Sequence, residues 1–278
     1  MQVIRRSQNV KKLKNFNFNS SLWIGFALAF LYLPLVVMAI FSFNDSKSLS
    51  SWSGFSLRWY QELFVNQQMI DAIVVSVSIA ILSTVISTIL GTITAIGISK
   101  SKPILRKIVL QVNNLPIMNP DIVTGIALML LFSFVKMEKG YLTMLLAHIA
   151  FCTPFVITNV LPKVRQLDAN LADAAMDLGA TPFQALTKVI IPQIKPGIIS
   201  GALLAFTMSF DDFIISYFVS GNGIENISII IYNMSKRTNP SIYALATIIL
   251  VVVLVFVILG TVIPKFFPKA TNKVMSSK

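Results

Sequence analysis

The sequence predicts an all-α integral membrane protein with six transmembrane helices, and three observations carry that prediction. Of its 278 residues 55% are hydrophobic and 12% charged, whereas soluble globular domains carry about a quarter charged residues. Uncharged runs recur along the chain at lengths that cross a bilayer, for which about 20 apolar residues suffice. Lysine and arginine gather in alternate intervals between those runs. That alternation reads the net charge of +12 as membrane orientation and not as a nucleic-acid surface.

Taken in order, residues 1–21 form a basic, polar N-tail. The uncharged run 22–43 exceeds the apolar core of about 7–15 residues in a cleavable signal, so it is read as an uncleaved first span. Further spans are expected at about 72–99, 108–135, 141–162, 196–219 and 241–264, followed by a C-tail at 265–278. Six spans put both termini on one side. That side holds Arg5, Arg6, Lys11, Lys12 and Lys14, then Lys100, Lys102, Arg106 and Lys107, then Lys163, Arg165, Lys188 and Lys195, and finally Lys265, Lys269, Lys273 and Lys278. The opposite side holds Lys47, Arg58, Lys136, Lys139, Lys236 and Arg237. A ratio of 17 to 6 makes both termini cytoplasmic by the positive-inside rule.

Two intervals have local character of their own. In the outer segment 44–69, Leu57, Tyr60, Leu63 and Phe64 repeat at helical spacing beside Trp59, which reads as an interfacial anchor. The third span is broken at Asn119-Pro120-Asp121, read as Asn at the N-cap, Pro in the first turn and Asp near the positive end of the dipole. Pro116 marks a short preceding segment or kink. Irregular backbone at that depth must be buried in protein or line a water-filled cavity. Helix-start chemistry explains Asp121, with substrate contact as the lesser reading. Pro154, in the fourth span, is read as a plain kink.

The interval 168–196 is patterned unlike any other. Leu167, Leu171, Ala174, Ala175 and Leu178 recur at three- and four-residue spacing, Gly179 supplies a left-handed C-terminal position, and Thr181, Pro182 and Gln184 open a second helix with a capping box. Pro192 and Pro196 are expected to close that helix before the fifth span. Asp173 and Asp177 share one face. A solvated face and a docking site for a basic partner both fit these residues.

Acids inside spans cost about 2.5–3.5 kcal/mol on insertion scales and usually mark function. With the fifth helix starting near Pro196, Asp211 lies about 22 Å into a core about 30 Å thick, past the midplane. Successive residues on a helix project about 100° apart, so one of Asp211 and Asp212 is expected to face a path while the other bonds a neighbouring helix; the spacing leaves open which. Phe210, Phe213 and Tyr217 would surround the pair with aromatic faces that suit a cation, although aromatics in a membrane helix usually pack. The single Cys152 and single His148 make no disulfide and no metal cluster. No G-x4-G-K-[ST] occurs, so the chain has no nucleotide-binding loop and no cofactor of its own.

The run Asp173-Ala174-Ala175-x3-Gly179-x9-Val189-Ile190-Ile191-Pro192 resembles the EAA loop of ABC-importer permease subunits, E-A-A-x3-G-x9-I-x-L-P. Asp173, Val189 and Ile191 depart from the pattern, and the aspartate is one methylene shorter than the glutamate. The segments 115–132 and 205–221 resemble spermidine/putrescine permeases of the PotC type. The resemblance implies a type I (MetI-like) permease fold in a bacterial cell membrane, with 168–196 as a coupling helix seated in an ATPase. Asp173, Ala174, Ala175, Asp177, Gly179, Thr181 and Pro192 would then serve coupling. It also implies a second homologous permease subunit, an ATPase dimer that binds ATP, an extracytoplasmic binding protein and a polyamine substrate. The alternatives are another small solute or, in a different class, an ATP-independent cation-coupled transporter. The second explains Asp211 and Asp212 but not the capped loop.

Overall fold

The computed structural model describes residues 2–47, 51–221, 223–236 and 240–266, with side chains from residue 21 to residue 255. The N-tail cations, Arg237 and the C-tail lysines, used above for orientation, lie outside the described side chains. The described residues are helical apart from turns and one isolated bridge, Asn44 with Phe55. They divide into two compact units, 1–66 with 234–278 and 67–233.

In the first unit, α1 (Gln2–Phe41) and α2 (Arg58–Val65) both pack on α12 (Ser241–Phe266). Residues 21–34 of α1 are exposed throughout, as befits a helix that meets lipid. The connection from α1 to α2 is organised by Asn44, 2% exposed. Its amide donates to the Ser51 carbonyl at 2.7 Å and accepts from the Ser53 N–H at 2.9 Å, while Trp59 Nε1 donates to the Asn44 carbonyl at 2.7 Å. The short helix read from the sequence as an interfacial anchor is present, with one face turned into the protein. Trp59 and Leu63 are buried, whereas Leu57 and Phe64 are exposed. The indole N–H needs a partner wherever the ring is buried, and the folded loop supplies it.

The second unit is built on α3 (Gln67–Lys100), α6 (Tyr141–Arg165) and α9 (Ile191–Phe210), which pack on one another. Small residues allow the close approach: a Cβ on Gly91 would meet Val156 Cγ1 at 2.6 Å, and one on Gly201 would meet Val156 Cα at 3.2 Å. Ile79, Met144, Phe151, Val156, Val160, Ile194 and Ala205 fill the space between them.

Between α3 and α6 the chain forms α4 (Pro103–Met118) and α5 (Asp121–Phe134), bent by 108° at their junction. The break falls where the sequence put it, with different caps. Pro116 lies within α4, Asn119 ends that helix in an extended conformation, and Pro120 occupies the N-cap of α5 with Asp121 next. Residues before proline are held in the extended region, so Asn119 stops one helix and does not start the other. By length and composition, four helices among the described residues can each cross a membrane, and the bent pair makes a fifth if counted as one span.

Candidate functional site

Two regions of the second unit carry the candidate residues. The first is the 168–196 interval. Asp168 Oδ1 accepts from the Asn170 N–H at 2.9 Å, leading into α7 (Leu171–Asp177). Helix α7 ends in a full Schellman motif, in which the Gly179 N–H donates to the Met176 carbonyl at 2.9 Å and the Ala180 N–H to the Ala175 carbonyl at 3.1 Å. Gly179 has φ +88° and open space where a Cβ would lie, so its requirement is for backbone conformation alone. Thr181 then caps α8 (Pro182–Gln184): its Oγ1 accepts from the Gln184 N–H at 3.3 Å, and Gln184 Oε1 accepts from the Thr181 N–H at 3.0 Å.

One expectation about this interval is corrected, and its exposed face is located. Within the chain only Ala172 of this helix is buried; Leu171 and Ala175 are half-buried, and Ala174 and Leu178 are exposed, Leu178 at 91%. Pro192 and Pro196 do not close the second helix. From Pro182 the chain stays helical to Phe210, through a π-helical stretch, Ala185–Ile190. A proline ring crowds the carbonyl four residues back, here that of Lys188, and the wider turn lies over that residue. The tip therefore presents Asp173, Asp177, Met176, Leu178 and Phe183 outward, all of it held from within by backbone bonds and caps.

The second region is the end of α9. The helix stops at Phe210, Asp211–Phe213 are non-helical, and α10 (Ile214–Val219) follows. The expected single helical wheel through both acids is therefore replaced by a break. The two aspartates are in opposite situations. Asp211 is exposed and forms no ion pair with a described residue. The Asp212 side chain is 6% exposed. Its carboxylate accepts from the Ile215 N–H at 3.2 Å, the Ser216 N–H at 2.8 Å and the Ser216 hydroxyl at 2.9 Å, and so caps α10. His148 Nε2 stands 3.5 Å from Asp212 Oδ2. The imidazole also meets Ser216 Oγ at 3.0 Å through Nε2 and Ser209 Oγ at 2.6 Å through Nδ1, and Ser209 continues to Ser83 Oγ at 2.9 Å. Asn226 donates from Nδ2 to the Asp212 carbonyl at 2.9 Å and to Ser216 Oγ at 2.8 Å.

Of the predicted aromatics, Phe213 and Tyr217 cluster with a third ring, Tyr232 of α11 (Ile227–Lys236), at centroid distances of 4.6 Å and 6.0 Å. Phe210 stacks instead on Phe206. Asp121 is exposed at the start of α5, and no ion pair or hydrogen bond among the described residues joins it to Asp211 or Asp212. Helix α5 packs on α10, and a Cβ on Gly125 would meet Phe218 Cδ2 at 2.9 Å. Sequence reasoning missed His148, Ser209, Ser216, Asn226 and Tyr232. A lone histidine within an apolar run, expected to need a polar partner, was the available signal.

The family described as "Binding-protein-dependent transport system inner membrane component" matches residues 87–267, a stretch that holds the capped tip, the α9–α10 break and His148. The chain belongs to this family. It is the permease subunit of an ABC importer and a multi-pass membrane protein. The permease is 39% identical over 242 residues to the putrescine transport system permease protein PotI of Escherichia coli K12, covering 82% of this chain and 84% of that one. It is 36% identical over 242 residues to the spermidine/putrescine transport system permease protein PotC of the same strain, covering 85% and 90%. The PotC protein of Haemophilus influenzae is 37% identical over 238 residues. Among solved structures, a bacterial ABC transporter that imports the acidic polysaccharide alginate has a chain that superposes with a TM-score of 0.71 at 16% identity, covering 91% of the permease and 97% of that chain. This likeness concerns the fold alone.

Proposed function

We propose that this permease forms part of the translocation path for a polyamine, putrescine or spermidine, with Asp211 as the carboxylate that meets the cation. The observation that carries the reading is the division between the two acids. Asp212 is committed to capping α10 and to a buried network, while Asp211 at the same break is exposed. The names of the relatives supply the substrate class. An ammonium group is drawn to a carboxylate and to aromatic faces, and Phe213 within the break clusters with Tyr217 and Tyr232.

The exposed tip with Asp173, Asp177, Leu178 and Phe183 is the contact for a cytoplasmic ATPase dimer; Ala174, Ala175, Gly179, Thr181 and Pro192 shape it. Its apolar residues need burial and its acids favour a basic groove. Asp173, shorter than the glutamate of the family pattern, makes the same contact at closer range. Because the chain runs helically from Pro182 to Phe210, force on the tip reaches the α9–α10 break through one rigid element. ATP binding would close the ATPases and swing the spans outward, and hydrolysis would reset them. A second homologous permease subunit and an extracytoplasmic binding protein complete the assembly, with six spans and both termini in the cytoplasm. The test is ATP-driven uptake by the reconstituted complex with competing polyamines. Inhibition by putrescine or spermidine, and none by neutral or anionic solutes, supports the reading; uptake indifferent to polyamines contradicts it.

A further inference from the structure

We propose that His148 is a positioning residue for transport, bearing its hydrogen on Nε2 and fixing Asp212 so that the α9–α10 break turns Asp211 outward. Its role in transport rests on the reading of Asp211 given above; its protonation pattern does not.

The hydrogen-bond geometry assigns the nitrogen. The Asn226 amide has one orientation, because its Oδ1 accepts from the Ile229 N–H at 2.9 Å while its Nδ2 faces the Asp212 carbonyl. Nδ2 therefore donates to Ser216 Oγ. The Ser216 hydroxyl hydrogen goes to Asp212 Oδ2 at 2.9 Å. Ser216 Oγ then has one lone pair left and no hydrogen to offer His148 Nε2 at 3.0 Å. A bare Nε2 would face that lone pair and the carboxylate 3.5 Å away, so Nε2 carries the hydrogen. On the other side of the ring, Ser209 and Ser83 form a relay that ends at the Ala80 carbonyl, 3.3 Å from Ser83 Oγ. That relay accepts from Nδ1 or donates to it by turning its hydroxyls, so only Nε2 is fixed.

The ring joins four elements: α3 through Ser83, α6 through His148 itself, α9 through Ser209 and α10 through Ser216. At 1% exposure His148 does not reach substrate, and its effect must pass through the groups it holds. Removing the Nε2–H takes a donor away from the buried Asp212 carboxylate in a poorly solvating site.

The chain has one histidine, so ¹⁵N-histidine labelling of the complex, purified with a histidine-free tag and labelled in this subunit, reads one imidazole by solid-state NMR. A protonated Nε2 is expected, shifted by Asp212→Asn and left in place by Asp211→Asn. A bare Nε2, or equal responses to the two variants, overturns the assignment whatever the substrate is. The transport role is tested with His148→Gln and His148→Asn, which place an amide where Nε2 and Nδ1 stood. At wild-type complex yield, His148→Gln should keep at least a third of ATP-driven putrescine uptake and His148→Asn should fall at least tenfold. Equal uptake by the two variants overturns the positioning role. A wild-type complex that takes up no putrescine sinks the substrate reading alone, and the NMR result stands apart from it.

Discussion

The two breaks in the helical path, at Leu178–Thr181 and at Asp211–Phe213, are held in opposite ways. The first is closed by bonds between residues at most five apart, and its side chains point outward. The second adds to its local cap on Ile215 and Ser216 a network of side chains from distant parts of the chain: His148 lies 61 residues from Ser209, and Ser83 lies 126 residues from Ser209. A turn closed by backbone bonds and caps leaves its side chains free, as the proposed docking on an ATPase would require. The buried part of a break inside a membrane protein has no water to satisfy it, so it draws partners from neighbouring helices.

The difference can be broken at either end, and the largest effect is expected at the buried break. Asn226→Leu removes donors from the Asp212 carbonyl and Ser216 Oγ and the acceptor of the Ile229 N–H. At about 1–3 kcal/mol for each group left unsatisfied, it should lower the melting temperature of the complex more than any single change at the tip. A melting temperature like that of the wild type would show that the network is not holding the break. Gly179→Val comes next. The φ of +88° with open space for a Cβ limits the cost to the backbone, about 1–2 kcal/mol. ATP hydrolysis should continue while uptake per ATP falls severalfold, and Gly179→Asn should lose less, because asparagine tolerates the left-handed region. Equal coupling in Val and Asn variants would argue against a rigid tip. Thr181→Ala, which removes one cap on an exposed turn, should cost about 1 kcal/mol, with Thr181→Ser near wild type. Both are read by melting and coupling ratio, and a Thr181→Ala loss matching that of Asn226→Leu would erase the contrast between the two regions.

The same contrast explains what the sequence could reveal. Gly179, the Thr181–Gln184 box and the break near Pro120 were legible because each depends on residues a few positions apart. The course of the chain through Pro192 and Pro196 was not, because a π-helical stretch absorbs what reads as a stop. The helix end at Phe210 was hidden as well, since 196–219 is a continuous apolar run apart from two acids. Which acid is buried depends on His148, Ser209 and Asn226, whose meeting is a matter of tertiary packing. Asp211 and Asp212 are equivalent in sequence and differ only in what surrounds them.

That difference is the claim most open to a direct check. Asp211→Asn and Asp212→Asn should be compared in one reconstituted complex, measuring ATP-driven putrescine uptake and the melting temperature together. The expected result is that Asp211→Asn lowers uptake at least tenfold with melting unchanged, while Asp212→Asn lowers both. Equal melting temperatures for the two variants, or wild-type uptake by Asp211→Asn, would contradict the division of labour between them.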